Sequence, residues 1–305
     1  MPLLLTDALQ TIQRDSVISF PFLHLTLNPP AYFTLFGFRI YLYGVLIALG
    51  FLLGILYCAK HAPAFGISSD DFYDFILWLI PLCILGARLY YVLFRLDYYL
   101  VYPGEILAIR DGGLAIYGGV IAGIAVAAAV CKMKKIPLLA LLDLTVFGLL
   151  IGQIIGRWGN FMNREAFGAV TDSFCRMGLT DPSGHTVYVH PTFLYESLWN
   201  LALFVFLRVW TRQSRRRYDG QVLLLYFFCY GLGRAWIEGL RTDSLMLGGT
   251  GIRVSQLLSA VLCLGSLIIL LVQARRAHKP EELYVNRVRA ARADDSHTDA
   301  DKKGL

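Results

Sequence analysis

Seven apolar stretches of about 20 residues or more constrain this chain more than any other feature of its sequence. They run over 37–60, 71–93, 113–133, 138–160, 192–212, 221–240 and 252–274. A helix of about 20 apolar residues crosses a hydrocarbon core of roughly 30 Å. We therefore predict an all-α integral membrane protein with about seven transmembrane helices, whose boundaries carry an error of several residues.

The charge content excludes a soluble protein. Charged residues make up 16% of the chain and hydrophobic residues 56%, whereas soluble domains carry roughly a quarter charged residues. This chain has too few charges to cover a water-exposed surface, so lipid must cover much of it.

Basic residues in the short connections predict the orientation. They form three clusters: Lys132, Lys134 and Lys135; Arg212, Arg215, Arg216 and Arg217; Arg275, Arg276 and Lys279. With seven spans all three fall on one side, which the positive-inside rule assigns to the cytoplasm. The N-terminus is then outside and the C-terminus inside.

The chain divides into three parts. Residues 1–36 are expected to be an extracytoplasmic or interfacial segment. Residues 37–274 form the transmembrane domain, with an extracytoplasmic loop at about 161–191. Residues 275–305 are charged and lack apolar periodicity, so we expect a largely disordered cytoplasmic tail.

Costly polar residues concentrate at one depth of the membrane. Under the predicted topology they lie near the outer ends of six helices: Tyr43, Arg88, Asp111, Tyr117, Arg157, Asn160, Asn163, His190, Tyr195, Glu196, Arg234, Glu238 and Arg241. Ionisable residues inside a membrane cost several kcal/mol each and usually face a cavity or a partner. Their convergence therefore predicts a functional site toward the outer leaflet.

Residue spacing adds detail to this site. Arg234 and Glu238 are four residues apart, and Arg241 is three further on, so all three can share a helical face. Two arginines from different helices, Arg157 and Arg234, suit an anionic headgroup, because guanidinium binds phosphate through paired hydrogen bonds. A purely structural ion network, or arginines reaching toward lipid headgroups, are the alternatives.

The sequence contains no pattern typical of a metal, nucleotide or nucleic-acid site. The six cysteines show no CxxC or Cys/His ligand spacing. We therefore expect no bound metal, no organic cofactor and no nucleic-acid partner.

Six sequence blocks resemble those of the prolipoprotein diacylglyceryl transferases. The signature segment is similar to 156–168 (GRWGNFMNREAFG). The other blocks, in order, are Tyr43-Gly44, 86–91 (GARLYY), 111–119 (DGGLAIYGG), 190–196 (HPTFLYE), and Gly233-Arg234 through Glu238 to Arg241, followed by Ser255-Gln256. The resemblance covers roughly residues 37–275.

That resemblance implies an enzyme of the bacterial plasma membrane, with its site toward the outer leaflet. Such enzymes move the diacylglyceryl group of phosphatidylglycerol to the thiol of a lipobox cysteine in a preprolipoprotein signal peptide. A thioether forms and glycerol phosphate is released, without a metal or an organic cofactor. The expected partners are therefore membrane lipid, phosphatidylglycerol and the preprolipoprotein.

We expect Arg157 and Arg234 to hold the headgroup and Asn160 to orient it. Tyr43 and Glu196 are placed around the cavity. The expected supporting residues are Glu238, Arg241, Asn163, Gly168 and Arg88.

The base that takes the thiol proton is open, because Tyr117 stands where well-known family members have a histidine. Tyr117 can be read in three ways. It either only hydrogen-bonds the substrate, or it acts as the base with a pKa lowered by arginines. In the third alternative, the positive field of the arginines is by itself enough to favour the thiolate. We prefer the third, with Tyr117 as a positioning group, since a phenol with a pKa near 10 is a poor base at neutral pH. His190 is a further candidate, although Pro191 after it favours a structural role at the start of a helix.

Two other functions compete with this reading. An anion transporter or channel could line its path with Arg157 and Arg234, but the mostly apolar inner half favours a site open to lipid. A metal-dependent lipid-headgroup enzyme would need clustered aspartates with ligand spacing, which the membrane segments lack.

Overall fold

The computed structural model describes residues 16–109, 112–212, 215–242, 246 and 253–303, so Asp111 lies outside the described residues. In chain order its strands and helices are β1 (Val17–Phe20), β2 (Leu25–Leu27), β3 (Tyr32–Leu35), β4 (Phe38–Tyr41), α1 (Leu42–His61), α2 (Ser69–Leu93), α3 (Leu96–Tyr99), α4 (Ile116–Lys134), α5 (Leu138–Asn163), β5 (Met177–Thr180), β6 (Thr186–Val189), α6 (Thr192–Arg212), α7 (Gln221–Leu240), α8 (Val254–Ala274) and α9 (Tyr284–Lys303). Each of the seven apolar segments contains one long helix, and most boundaries agree within a few residues.

Within the described ranges, six helices are long and apolar enough to cross a membrane: α1 with the turn after it, α2, α4, α5, α6 and α8. A mostly helical membrane protein is therefore confirmed. Helix α7 is as long but carries Arg234 and Glu238 inside its apolar stretch. Both its membrane crossing and the orientation of the termini stay predictions.

The chain forms two compact units. The first unit contains Met1–Gly54, Val146–Arg216 and Gln221–Ala277. The second unit contains Ile55–Thr145, Arg217–Gly220 and His278–Leu305.

In the first unit, a small antiparallel sheet packs on the ends of two helices. Its strand order is β2-β1-β5-β6, with Ile18 opposite Leu179. These two side chains are fully buried and pack with Phe161 of α5 and Phe193 of α6. Strands β5 and β6 belong to the segment that joins α5 to α6, so the sheet packs where α5 ends and α6 begins. The candidate site lies near these two helix ends.

A second, two-stranded sheet replaces the expected start of the first helix. We predicted a helix from residue 37, but β3 and β4 pair from Tyr32 opposite Tyr41 to Leu35 opposite Phe38. The two turn residues, Phe36 and Gly37, have φ values of 50° and 82°, the left-handed geometry that two-residue hairpin turns require. The apolar run is therefore partly strand, and α1 begins only at Leu42.

Glycines allow close helix packing in both units. In the first unit, a Cβ added to Gly54 of α1 would lie 2.8 Å from the carbonyl oxygen of Gly148 in α5. In the second unit, a Cβ on Gly86 of α2 would lie 2.8 Å from the carbonyl oxygen of Gly118 in α4. Small residues thus let the helix backbones touch, as is usual in membrane bundles.

The C-terminal segment corrects another expectation. We predicted a largely disordered tail over 275–305, but helix α9 runs through most of it. The Tyr284 N–H at its start donates to Asp219 Oδ2 over 2.9 Å, and Val285 is buried against Gly66. Contacts of the first turn with distant residues, rather than apolar periodicity, position this helix.

Candidate active site

Glu196, in the first turns of α6, is the centre of a cluster of arginines in the first unit. Its side chain is 5% exposed and pairs with Arg157 of α5 through Oε2. Its Oε1 lies 2.5 Å from Arg234 Nη1 and 3.6 Å from Arg241 Nη1, both near the C-terminal end of α7. Residues from three helices that we expected to converge therefore meet at one carboxylate.

Glu238 is the second carboxylate of this cluster and is 2% exposed. Its Oε2 lies 2.7 Å from Arg234 Nη2, the pairing that the four-residue spacing predicted. The hydroxyl of Ser255 donates to Oε1 over 2.6 Å, and Arg253 donates to the backbone carbonyl. Arg234 is thus held between two buried carboxylates. Two residues without a predicted role, Arg253 directly before α8 and Ser255 in its first turn, support the arrangement.

Asn160 extends the cluster toward the surface. Its Oδ1 accepts a hydrogen bond from Arg157 Nη1 over 3.2 Å, and its Nδ2 donates to Glu165 Oε1 over 3.0 Å. Asn163 Nδ2 lies 3.3 Å from the same oxygen. Sequence reasoning missed Glu165, although it is the one carboxylate of the signature segment.

Gly168 lies in the loop that follows α5, which we call the site loop (164–176). It joins this loop to the start of α6 and the end of α7. Its N–H donates to the carbonyl of His190 over 2.9 Å, and it forms a β-bridge with Arg241. A Cβ added there would lie 2.7 Å from His190 Cβ and 2.9 Å from the Leu240 carbonyl oxygen. A side chain there would displace its neighbours, among them a backbone carbonyl, whereas the supporting role of Gly168 at the site stays a prediction.

Tyr43 packs against the same end of α5. Its ring would lie 2.7 Å from a Cβ added to Gly159, and the side chain is 37% exposed. The aromatic ring therefore stands beside the helix turn that carries Arg157 and Asn160.

Arg88 and Tyr117 belong to the second unit. The guanidinium of Arg88 donates to four backbone carbonyls, those of Glu105, Ile106, Gly112 and Gly113, over 2.7–3.0 Å. Arg88 therefore organises the loop that precedes α4, and its supporting role at the site stays a prediction. The phenol ring of Tyr117 is half exposed at the start of α4 and lies 6.4 Å from that of Tyr90, between centroids.

Another polar cluster of the first unit joins His190, Tyr195 and Cys175. The Tyr195 hydroxyl lies 3.0 Å from Cys175 Sγ and 3.3 Å from His190 Nδ1. Its hydrogen bond lowers the pKa of the Cys175 thiol, and burial lowers the pKa of the His190 imidazole. The backbone of His190 bonds to Gly168 and Ala169, which supports a structural role at the start of α6.

The central cluster can bind an anion. It contains three guanidinium groups, of Arg157, Arg234 and Arg241, and two carboxylates, so it carries an excess of positive charge in a poorly hydrated place. Among the described residues, no group of three or more His, Cys, Asp or Glu side chains could hold a metal ion.

Fold and site together define a helical membrane protein with a buried arginine–glutamate cluster. The family model of prolipoprotein diacylglyceryl transferase matches residues 30–272. The chain therefore belongs to the prolipoprotein diacylglyceryl transferase family, as the six blocks predicted.

Curated relatives agree with this assignment. The chain is 42% identical over 250 residues to the phosphatidylglycerol–prolipoprotein diacylglyceryl transferase of Finegoldia magna, covering 82% of this chain and 98% of that one. It is 43% identical over 258 residues to the protein of that name from Limosilactobacillus reuteri, covering 82% and 91%. The Streptococcus pyogenes protein of that name is 43% identical over 243 residues, with 78% and 92% covered.

Proposed function

We propose that this chain transfers the diacylglyceryl group of phosphatidylglycerol to the lipobox cysteine of a prolipoprotein, the first step of lipoprotein maturation. The names of its relatives support the two substrates. The observation that carries the proposal is the convergence of Arg157 and Arg234 on one buried carboxylate.

The reaction is a displacement at carbon. The cysteine thiolate attacks the glycerol carbon of the diacylglyceryl group that bears the phosphate ester. The C–S bond forms as the C–O bond breaks, and glycerol phosphate leaves with the electron pair. The thiol proton passes to solvent or to the leaving phosphate.

Arg157 and Arg234 hold the headgroup phosphate in this proposal. Both are now ion-paired with Glu196, so a phosphate binds by exchange with that carboxylate. Preorganised guanidinium groups then stabilise the negative charge that builds up on the leaving phosphate. Asn160 orients Arg157, while Glu238 and Arg241 fix the position of Arg234 and Glu196.

In this proposal, formation of the thiolate depends more on nearby positive charge, which lowers the pKa of the substrate thiol, than on a general base. A free thiol has a pKa of about 8.5, and nearby cations lower it. In this proposal the arginine field supplies that effect, and Tyr117 positions the substrate through its hydroxyl. Tyr43 lines the cavity at the turn of α5 that carries Arg157.

The proposed location is the bacterial plasma membrane, with seven spans, the N-terminus outside and the site toward the outer leaflet. Residues 1–36, the loop at 161–191 and the sheet that joins them then lie outside. The three basic clusters lie in the cytoplasm, together with α9, whose first turn docks on Asp219.

A reconstitution experiment tests the function. Purified protein is incubated with phosphatidylglycerol vesicles and a lipobox peptide, and mass spectrometry detects the diacylglyceryl thioether. The Cys→Ser peptide and vesicles of phosphatidylcholine are the controls. Thioether on the cysteine peptide alone supports the proposal, whereas folded protein that binds phosphatidylglycerol without forming product argues for an anion transporter.

A further inference from the structure

Arg164 is a buried arginine at the edge of the site whose role the proposed function leaves open. It follows the end of α5, directly precedes Glu165, and is 5% exposed. Its guanidinium donates to the carbonyls of Ser16 (3.1 Å), Met162 (2.6 Å) and Pro29 (2.7 Å), and to Asn28 Oδ1 (3.0 Å). One side chain thus ties the site loop to the N-terminal segment, more than 130 residues away in the sequence.

The backbone beside Arg164 has an unusual conformation. Arg164 and Ala166 have φ values of 52° and 56°, the left-handed region that side chains other than glycine rarely adopt. Such conformations persist only where surrounding contacts impose them, and they cluster at functional sites. Here the contacts are the four hydrogen bonds of Arg164 and the Thr192 hydroxyl, which donates to the Ala166 carbonyl over 2.5 Å.

These two residues flank Glu165 and turn it back onto α5. The Glu165 N–H donates to the Asn160 carbonyl over 3.1 Å, and the Glu165 carboxylate accepts the Asn160 side-chain amide. With its NH2 group engaged in this way, Asn160 presents its oxygen to Arg157. The orientation of Arg157 therefore depends on where Glu165 is held.

We propose that Arg164 is a positioning residue of the headgroup site, which acts by holding Glu165 on Asn160 and so orienting Arg157. This inference rests on the proposed function. It adds a role for a residue that the proposed function does not place at the substrate.

Lysine cannot replace Arg164 in this role. The four acceptors surround a planar guanidinium and are reached from three different nitrogens. A lysine ammonium keeps the charge but presents its donors from a single nitrogen. Arg164→Lys therefore keeps the positive charge and loosens the loop.

The test is a double-mutant cycle of Arg164→Lys and Glu165→Ala, assayed by thioether formation in vesicles. We expect Arg164→Lys to raise the KM for phosphatidylglycerol about 10-fold, because small misplacements near a reacting group are costly, while the KM for the peptide stays unchanged. A loss of folded protein alone lowers the apparent kcat and leaves both KM values unchanged. In the Glu165→Ala background, which lacks the acceptor for the Asn160 amide, Arg164→Lys should change the KM less than 2-fold, since neighbours that act through one contact are non-additive.

Arg176→Lys is the matched control. Arg176 lies in the same extracytoplasmic region, where it stacks over Tyr188 and donates to the Asp172 carbonyl, and its substitution should leave both KM values unchanged. Arg164→Gly is the second variant, because glycine accepts the left-handed backbone but removes all four hydrogen bonds of the side chain, and it should raise the same KM at least as much.

Three results overturn the inference: an unchanged KM in Arg164→Lys, equal effects in both backgrounds, or wild-type kinetics in Arg164→Gly. A wild-type protein that forms no thioether overturns the proposed function instead, so the two failures are distinguishable.

Discussion

Replacing Gly168 with alanine tests the steric basis of the site. The added Cβ would lie 2.7 Å from His190 Cβ, 2.9 Å from the Leu240 carbonyl oxygen and 3.0 Å from Thr192 Cγ2. The first contact is about 0.7 Å short of an ordinary 3.4 Å contact, and the carbonyl belongs to the backbone, so the chain itself must move. Overpacking of this kind typically costs about 1–3 kcal/mol.

The displaced backbone carries Arg241, which forms a β-bridge with Gly168. The Nη1 atom of Arg241 lies 3.6 Å from Glu196 Oε1. A misplacement of about 1 Å can cost roughly 100-fold in rate, so we expect Gly168→Ala to lower kcat/KM about 10- to 100-fold. Its melting temperature in detergent should also decrease.

The assay is thioether formation per folded enzyme, with thermal unfolding measured on the same samples. The control is Gly265→Ala in α8, where an added Cβ meets nothing within 4 Å and alanine favours the helix, so rate and stability should be retained. Wild-type activity and stability in Gly168→Ala would refute the steric argument. A lower melting temperature at full rate would show that the strain does not reach Arg241.

Three further predictions follow from the site and the fold. Arg157→Lys should lower kcat/KM for phosphatidylglycerol about 10- to 100-fold, because it loses a charge-assisted hydrogen bond worth about 1.5–3 kcal/mol; full activity in both Arg157→Lys and Arg157→Ala would remove the headgroup role. Tyr117→Phe should retain activity within about 10-fold if the arginine field generates the thiolate, whereas complete loss with phosphatidylglycerol binding intact would assign a proton-transfer role. Phe36, 91% exposed at the tip of the β3–β4 hairpin, should insert into the membrane interface. The difference in emission between Phe36→Trp and wild type should then be blue-shifted and quenched by brominated lipid, and quenching by aqueous iodide would contradict this.

Hydropathy located the helices because lipid offers no hydrogen-bond partners to the backbone. Each long apolar stretch must therefore form its own backbone hydrogen bonds, which it does as a helix. It did not reveal the β3–β4 hairpin, since Phe38 and Ile40 are as apolar as a helix start, and only the turn at Phe36 and Gly37 separates the strands. The sheet that joins β1 to β5 was equally hidden. Its register brings Ile18 to Leu179, a pairing across the whole first half of the chain that no local pattern encodes.

The candidate site was predictable where its geometry is helical. The pairing of Arg234 with Glu238 follows from a four-residue spacing, and the charged residues Arg157 and Glu196 were identified by their cost in a membrane. Side chains that act through backbone contacts with distant segments were not. Arg164 belongs to this class: in the sequence it is one charge in a polar loop, and its partners are known only from the fold.

The buried carboxylate of Glu196 bears on how such a site can turn over. Unpaired guanidinium groups in a poorly hydrated place are costly, so Arg157 and Arg234 need an anion when no lipid is bound, and Glu196 supplies it. In the proposed mechanism, a phosphate that replaces Glu196 in these ion pairs gains only the difference between two anionic partners, which limits its affinity. Product glycerol phosphate meets the same competition, because Glu196 can reclaim both arginines as it leaves. In that mechanism the carboxylate favours weak headgroup binding and fast release over tight binding.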